Sequence, residues 1–236
     1  MTPPGPLAPL APLALLRLLQ LTSPTLPVGA YTYSQGLEWA VESGRIANEQ
    51  DAGLWISELL TTSIGRLEAP LLASQMRHWA NEDSGEIRRL DAEFLASRES
   101  AELRAETLQM GFSLKRLLAD LHDPQLAPLR EHISDWPEIA FPTVWSGLAT
   151  GWKIEPLVAV SGYLWSWAEN QVMAALKAVP LGQAAGQRLL AELGQKIPAV
   201  AASALHLPED DWSNFTPVFS ICSARHETQY SRLFRS

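Results

Sequence analysis

Apolar residues recur at helical spacing in one segment after another, and Pro or Gly closes almost every segment. The set Leu54, Ile56, Leu59, Leu60 and Ile64 and the set Ile87, Leu90, Phe94 and Leu95 each line one side of a helix. Residue types agree with the spacing, since 37 Leu and 31 Ala stand against nine Val and nine Ile. Straight-chain and small side chains keep rotamer freedom in helices, whereas β-branched ones favour strands. The chain is therefore expected to be all-α, a single-domain helical bundle of roughly ten helices with a C-terminal tail. Its 236 residues suffice for one large core.

Boundaries follow from the punctuation. The first helix is expected over Ala11–Leu21, stopped where Ser23-Pro24 to Pro27-Val28-Gly29 imposes extended or turn geometry. Ser34 is placed to N-cap a segment from Gln35 to Ser43, which Gly44 ends. Asn48 caps the next helix, Pro70 starts another to Trp79, and Ser84 opens one more. From Ser97 to Leu121, Arg98, Glu99, Glu102, Arg104 and Glu106 lie opposite Leu103, Leu108, Phe112, Leu114 and Leu117, and most of that charge reads as a solvated face. His122–Pro137 reads as a loop around one short helix, Ala127–Ile133, suited to insertion or motion. Two mainly apolar helices, Glu138–Lys153 and Glu155–Lys177, belong at the centre. The last long helix starts at Pro180 and reaches about His206, with a kink expected at Pro198. An acidic break, Pro208-Glu-Asp-Asp211, divides an all-helical domain of residues 1–207 from a tail of residues 208–236.

Charge and motifs exclude several functions. The net charge of -8 argues against a surface that neutralises many phosphates, so no nucleic-acid partner is expected. The lone Cys222 excludes a disulfide framework and fits a reducing, cytoplasmic setting. The stretch Leu7 to Leu16 is cut by Pro9 and Pro12 and reads poorly as a leader, and Ile139 to Trp152 is too short to span a membrane. No phosphate loop and no nucleophile elbow is found, so no catalytic residue is assigned. Gly182-x-x-x-Gly186 reads instead as a place of close helix approach. Cys222 and His226 would share a helical face, and His226-Glu-Thr-Gln-Tyr230 partly matches a zinc helix with Tyr230 in place of the second histidine. A metal-binding role for Cys222 and His226 is thus weighed, although no metal site is assigned. Nine tryptophans exceed what a core of this size needs, and Trp39 is the one most readily given to a contact surface.

The tail, Ser223-Ala-Arg-His-Glu-Thr-Gln-Tyr-Ser-Arg-Leu-Phe-Arg-Ser236, joins three arginines to Tyr230, Leu233 and Phe234. So short a segment either frays or gains order in a groove, with Leu233 and Phe234 as anchors.

That tail and residues 18–42, with Ser23-Pro-Thr-Leu-Pro-Val-Gly-Ala-Tyr-Thr-Tyr-Ser-Gln-Gly-Leu-Glu38, closely resemble the urease accessory protein UreF family. Val172-Met-Ala-Ala-Leu-Lys177-Ala-Val-Pro-Leu-Gly-Gln183 is similar to the family's penultimate-helix pattern, and Ala30 stands where the family often has Gly. The resemblance implies a non-enzymatic, homodimeric adaptor in nickel urease maturation. It would bind a UreD/UreH-like protein and a UreG-like GTPase, act on apo-urease, and couple GTP hydrolysis to nickel delivery. Nickel would be cargo of the complex, with no tightly bound cofactor here; the alternative is a direct nickel-binding chaperone using Cys222 and His226. Matched to the family's motifs, Arg225, His226, Glu227, Tyr230, Arg232, Leu233 and Phe234 would engage the UreD/UreH-like partner, and Glu38 and Lys177 the GTPase. On physical grounds alone, Glu38 could pair locally and Lys177 could serve the dipole of its helix.

Overall fold

The computed structural model describes residues 11–236, so residues 7–10 of the stretch weighed above as a leader lie outside the described residues. Helices α1 (Pro12–Thr22) and α2 (Leu37–Glu42) flank an elbow that holds one 3-10 turn, Ala30–Thr32. Next come α3 (Glu49–Leu59), a π-helical segment (Leu60–Glu68), α4 (Ala69–Ala80), α5 (Ser84–Ala96), α6 (Ala101–Asp120) and α7 (Ala127–His132). Then α8 (Phe141–Gly151), α9 (Pro156–Ala178) and α10 (Gln183–Ala204) complete the bundle, and α11 (Pro217–His226) lies in the tail. No strand occurs among the described residues, as the Leu and Ala content requires. No helix among them is long and apolar enough to cross a membrane.

The two apolar helices do sit centrally: α9 packs on α10, α4 and α2, while α8 lies between α4 and α6. Trp145 is wholly buried and meets the Tyr163 ring edge-on at 5.2 Å. Close approach of α10 to α9 depends on Gly186, where a Cβ would fall 2.7 Å from Leu176 Cδ1. The main core runs without a break from Ala14 on α1 to Phe219 and Cys222 on α11. One domain results, with the helix of the tail built into it.

Several local expectations are corrected. Pro70 stands in the first turn of α4, as expected, but the backbone is already helical before it, from residue 49 on. Proline has no N–H to give to the carbonyl four residues back. That carbonyl, Arg66 O, accepts instead from Ser213 N at 3.1 Å, while Arg66 Nη2 donates to Asp211 O at 3.0 Å. The π-helical segment thereby fastens the strand of chain that leads into α11. Residues 122–137 are no loose loop, because Leu126, Leu129, Ile133 and Trp136 are buried. Asn48 does cap α3, accepting from Asp51 N at 3.0 Å. The N-cap position of α2 belongs to Gly36, at φ 77°, with Gln35 also left-handed at φ 52°, yet Ser34 Oγ still accepts from Glu38 N in the first turn at 3.3 Å.

Candidate functional site

Two successive left-handed residues turn the elbow sharply into α2, and Ser34, besides accepting from Glu38 N, takes on a second task. Ser34 N and Oγ both donate to Ser236 O, at 2.7 and 2.5 Å. Gly36 also brings α2 against α11, since a Cβ there would lie 2.9 Å from Ser223 N. One turn into the entry of α2, Glu38 is 6% exposed and accepts from three groups. Leu233 N donates to Oε1 at 2.6 Å and Phe234 N to Oε2 at 3.0 Å, with His226 Nε2 3.1 Å from Oε2. On the far side of the ring, His226 Nδ1 is 2.7 Å from Glu102 Oε2, and Arg232 Nη1 donates to Glu102 Oε1 at 2.7 Å.

Glu106, one turn after Glu102 on α6, closes the arrangement. It accepts from Ser236 Oγ at 2.8 Å and from Gln35 Nε2 at 2.7 Å, and Gln35 Oε1 accepts from Trp167 Nε1 at 2.8 Å. Burial pushes the Glu106 carboxyl up to about 7, against the partial relief of those two hydrogen bonds. Behind it is a cavity of about 60 Å³ lined in part by Glu68, Arg98, Glu106 and Tyr163. Tyr163 donates to Glu68, and burial followed by the nearby Glu68 charge holds the phenol well above its ordinary value. Arg98 lies 3.6 Å from Glu68 and stacks 4.1 Å above the Phe94 ring.

The polar side of α6 is therefore not the solvated face expected of it. Glu106 is buried, and Glu102 and Arg98 are largely covered. These acids, with Ser34 and Gln35, hold the tail, and spacing within α6 alone does not reveal it. A usable signal was charge complementarity between the cationic tail and the Glu99, Glu102 and Glu106 run.

The residues assigned to two partners form one cluster. His226 and Phe234 are buried, whereas Arg225, Glu227, Tyr230, Arg232 and Leu233 are exposed. Glu227 also bonds inward, accepting from Ala101 N at 2.7 Å. Glu38 is not on the surface, which corrects its placement on a GTPase-facing side. Lys177 is exposed, and its Nζ lies 5.5 Å from the Phe234 ring and 5.7 Å from the Tyr31 ring. Phe234, expected as an anchor for another protein, is seated within this chain.

The nickel reading of Cys222 and His226 does not fit the geometry. Both lie on α11 and face inward, as their spacing predicts. Both ring nitrogens of His226 face carboxylate oxygens, and burial pushes the Cys222 thiol up, away from the thiolate that binds metal. No group of three or more His, Cys, Asp or Glu among the described residues is arranged to hold a metal ion.

Fold and site define a class: an all-helical protein whose polar centre is a clasp, made by the elbow and α6, on its own C-terminal segment. The family model described as UreF matches residues 46–194. The urease accessory protein UreF of Dechloromonas aromatica (strain RCB) is 68% identical over 214 residues, covering 91% of this chain and 94% of that protein. Its counterparts in Azoarcus sp. (strain BH72) and Methylobacillus flagellatus (strain ATCC 51484 / DSM 6875 / VKM B-1610 / KT) are 58% and 46% identical, each over 91% of this chain and covering 92% and 94% of those proteins. The chain belongs to the UreF family of urease accessory proteins.

Proposed function

We propose that this protein serves urease maturation as a cytoplasmic, dimeric adaptor between a UreD/UreH-like protein and a UreG-like GTPase. It couples GTP hydrolysis to delivery of nickel into apo-urease, and nickel is cargo of the assembly with no tight site on this chain. The observation that carries the reading is the clasp: it fixes residues 227–236 while Tyr230, at 104%, and Leu233, at 71%, stay exposed. A pre-ordered apolar pair flanked by Arg225 and Arg232 suits capture of a partner, because less ordering entropy opposes binding. The outward side of α11 adds Val218 and Ile221 to this surface, and neither was singled out by sequence. Residues 208–236 are thus the UreD/UreH-docking element. Lys177, beside Phe234, is assigned to the GTPase contact, at the adjoining corner. The exposed row Leu13, Leu16 and Leu19 on α1 is assigned to the homodimer.

The test is co-purification with the UreD/UreH-like protein. A chain ending at Ala224 would also empty the clasp, so the cleaner variant is Tyr230→Ala with Leu233→Ala, whose side chains take no part in it. Unchanged melting with lost capture is expected; unchanged capture would overturn the docking assignment.

A further inference from the structure

His226 is wholly buried where α11 meets α2 and α6. Its Nε2 lies 3.1 Å from Glu38 Oε2, and its Nδ1 lies 2.7 Å from Glu102 Oε2. A neutral imidazole has one N–H and one bare lone pair, so it can donate to only one of these carboxylates. The other ring nitrogen would set its lone pair against a carboxylate oxygen at hydrogen-bond distance, which repels. The arrangement therefore needs one proton more than two ionised carboxylates and a neutral ring provide.

That proton belongs on the ring. Both oxygens of Glu38 accept from backbone amides, those of Leu233 and Phe234, and Glu102 Oε1 accepts from Arg232 Nη1. Hydrogen bonds of this kind favour the ionised carboxylate. With an imidazolium between them, Glu38, Glu102, His226 and Arg232 sum to zero charge. A neutral ring would leave a net negative charge in a covered site, which is costly. Of the neighbouring charged groups, Glu42 and Arg225 are exposed, Glu227 accepts from Ala101 N, and Glu106 is turned to Ser236 and Gln35. The Cys222 thiol, one turn earlier on α11, is pushed up by burial and stays neutral.

We propose that His226 is a proton-operated latch: closing the tail over α2 and α6 takes up one proton at the ring, and rising pH releases the end of α11 with residues 227–236. In the open tail the ring meets water and, above the ordinary imidazole value of about 6.5, is neutral. Each pH unit above that point lowers the closed-to-open ratio by up to about ten-fold, for as long as the closed form keeps its proton. Below it the ring is charged in both forms, and the latch is fully engaged. Tyr230 and Leu233 lie within the held segment, so the latch sets how much of the docking element is pre-ordered. Only that last consequence rests on the docking reading, and the latch itself is tested without a partner.

The first readout is the imidazole nitrogen resonances of the isotope-labelled native chain at about pH 7.5, with acetyl-histidine amide in the same buffer as reference. His226 is expected to carry a proton on both nitrogens where the reference carries one. The second is hydrogen exchange at the Leu233 and Phe234 amides between about pH 7.5 and about pH 8.5, corrected for the intrinsic pH dependence of exchange. In that window Glu106 is largely ionised whether the tail is closed or open, and the Cys222 thiol is still neutral. Protection should fall by about three- to ten-fold in the native chain. His226→Gln, whose side chain does not titrate, should show a lower protection that is level across the window. A bare nitrogen on His226 at the lower pH with both amides still protected overturns the proposal. So does protection that stays level in the native chain or falls as steeply in His226→Gln.

Discussion

Glu106→Gln should remove a pH dependence that the clasp builds into folding stability. The glutamine is nearly isosteric and can keep both contacts, its carbonyl accepting from Gln35 and its amide donating to Ser236 Oγ. In the native chain burial raises this carboxyl from 4.5 to about 7. Below the lower value both folded and unfolded chains hold the proton, and stability is unaffected. Between the two values the unfolded chain has released the proton while the folded chain retains it, so stability falls by about 1.4 kcal/mol per pH unit. Above about 7 both states are ionised and the loss stays constant. The total is about 3 kcal/mol between roughly pH 4.5 and pH 7, lost as pH rises. Asp91, also raised by burial, acts in the same direction, and lowered carboxyls such as Asp123 oppose it. The informative quantity is therefore the difference between variant and native protein. Urea unfolding at about pH 5 and about pH 7.5, followed by far-ultraviolet circular dichroism, should show the variant gaining about 2.4 kcal/mol on the native chain over that interval. A difference constant to within about 0.5 kcal/mol, the usual scatter of neutral substitutions, would refute a buried, proton-retaining Glu106.

Glu38→Ala leaves His226 Nε2 and the amides of Leu233 and Phe234 without their acceptor, and should cost about 3–5 kcal/mol, at about 1–3 kcal/mol for each buried hydrogen bond left unmade. Hydrogen exchange at those two amides is expected to rise to that of an open chain end, and retained protection would contradict the clasp. Leu16→Glu with Leu19→Glu should halve the mass seen by light scattering without lowering the melting temperature, because both side chains are exposed. An unchanged mass removes α1 from the dimer contact.

Elements governed by local rules were legible. Asn48 caps α3 through a group three residues away, and the apolar continuity of α8 and α9 put them at the centre. The start of α4 at Pro70 was legible as well, but not the partner of Arg66 O, Ser213, which lies far along the chain. The site failed for the same reason on a larger scale. Amphipathic spacing says which side of α6 is polar, but not that a returning tail covers Glu102 and Glu106. Glu38 and His226 are 188 residues apart, and neither neighbourhood announces the other. Family resemblance did bring both into the set of functional residues, although on separate surfaces.

The separations in the clasp also set an order of events during synthesis. Glu38 leaves the ribosome 195 residues before Leu233 and Ser34 leaves 202 before Ser236. At ordinary elongation rates the elbow waits on the order of 10–40 s for the segment it will hold. Throughout that interval the Glu38 carboxylate and the seat of α11 against Gly36 are open to water and to any chaperone nearby. Closing so long a loop also comes late in folding on entropic grounds. A closed clasp therefore reports that translation has passed residue 236, and nascent or prematurely ended chains display an unfilled elbow instead.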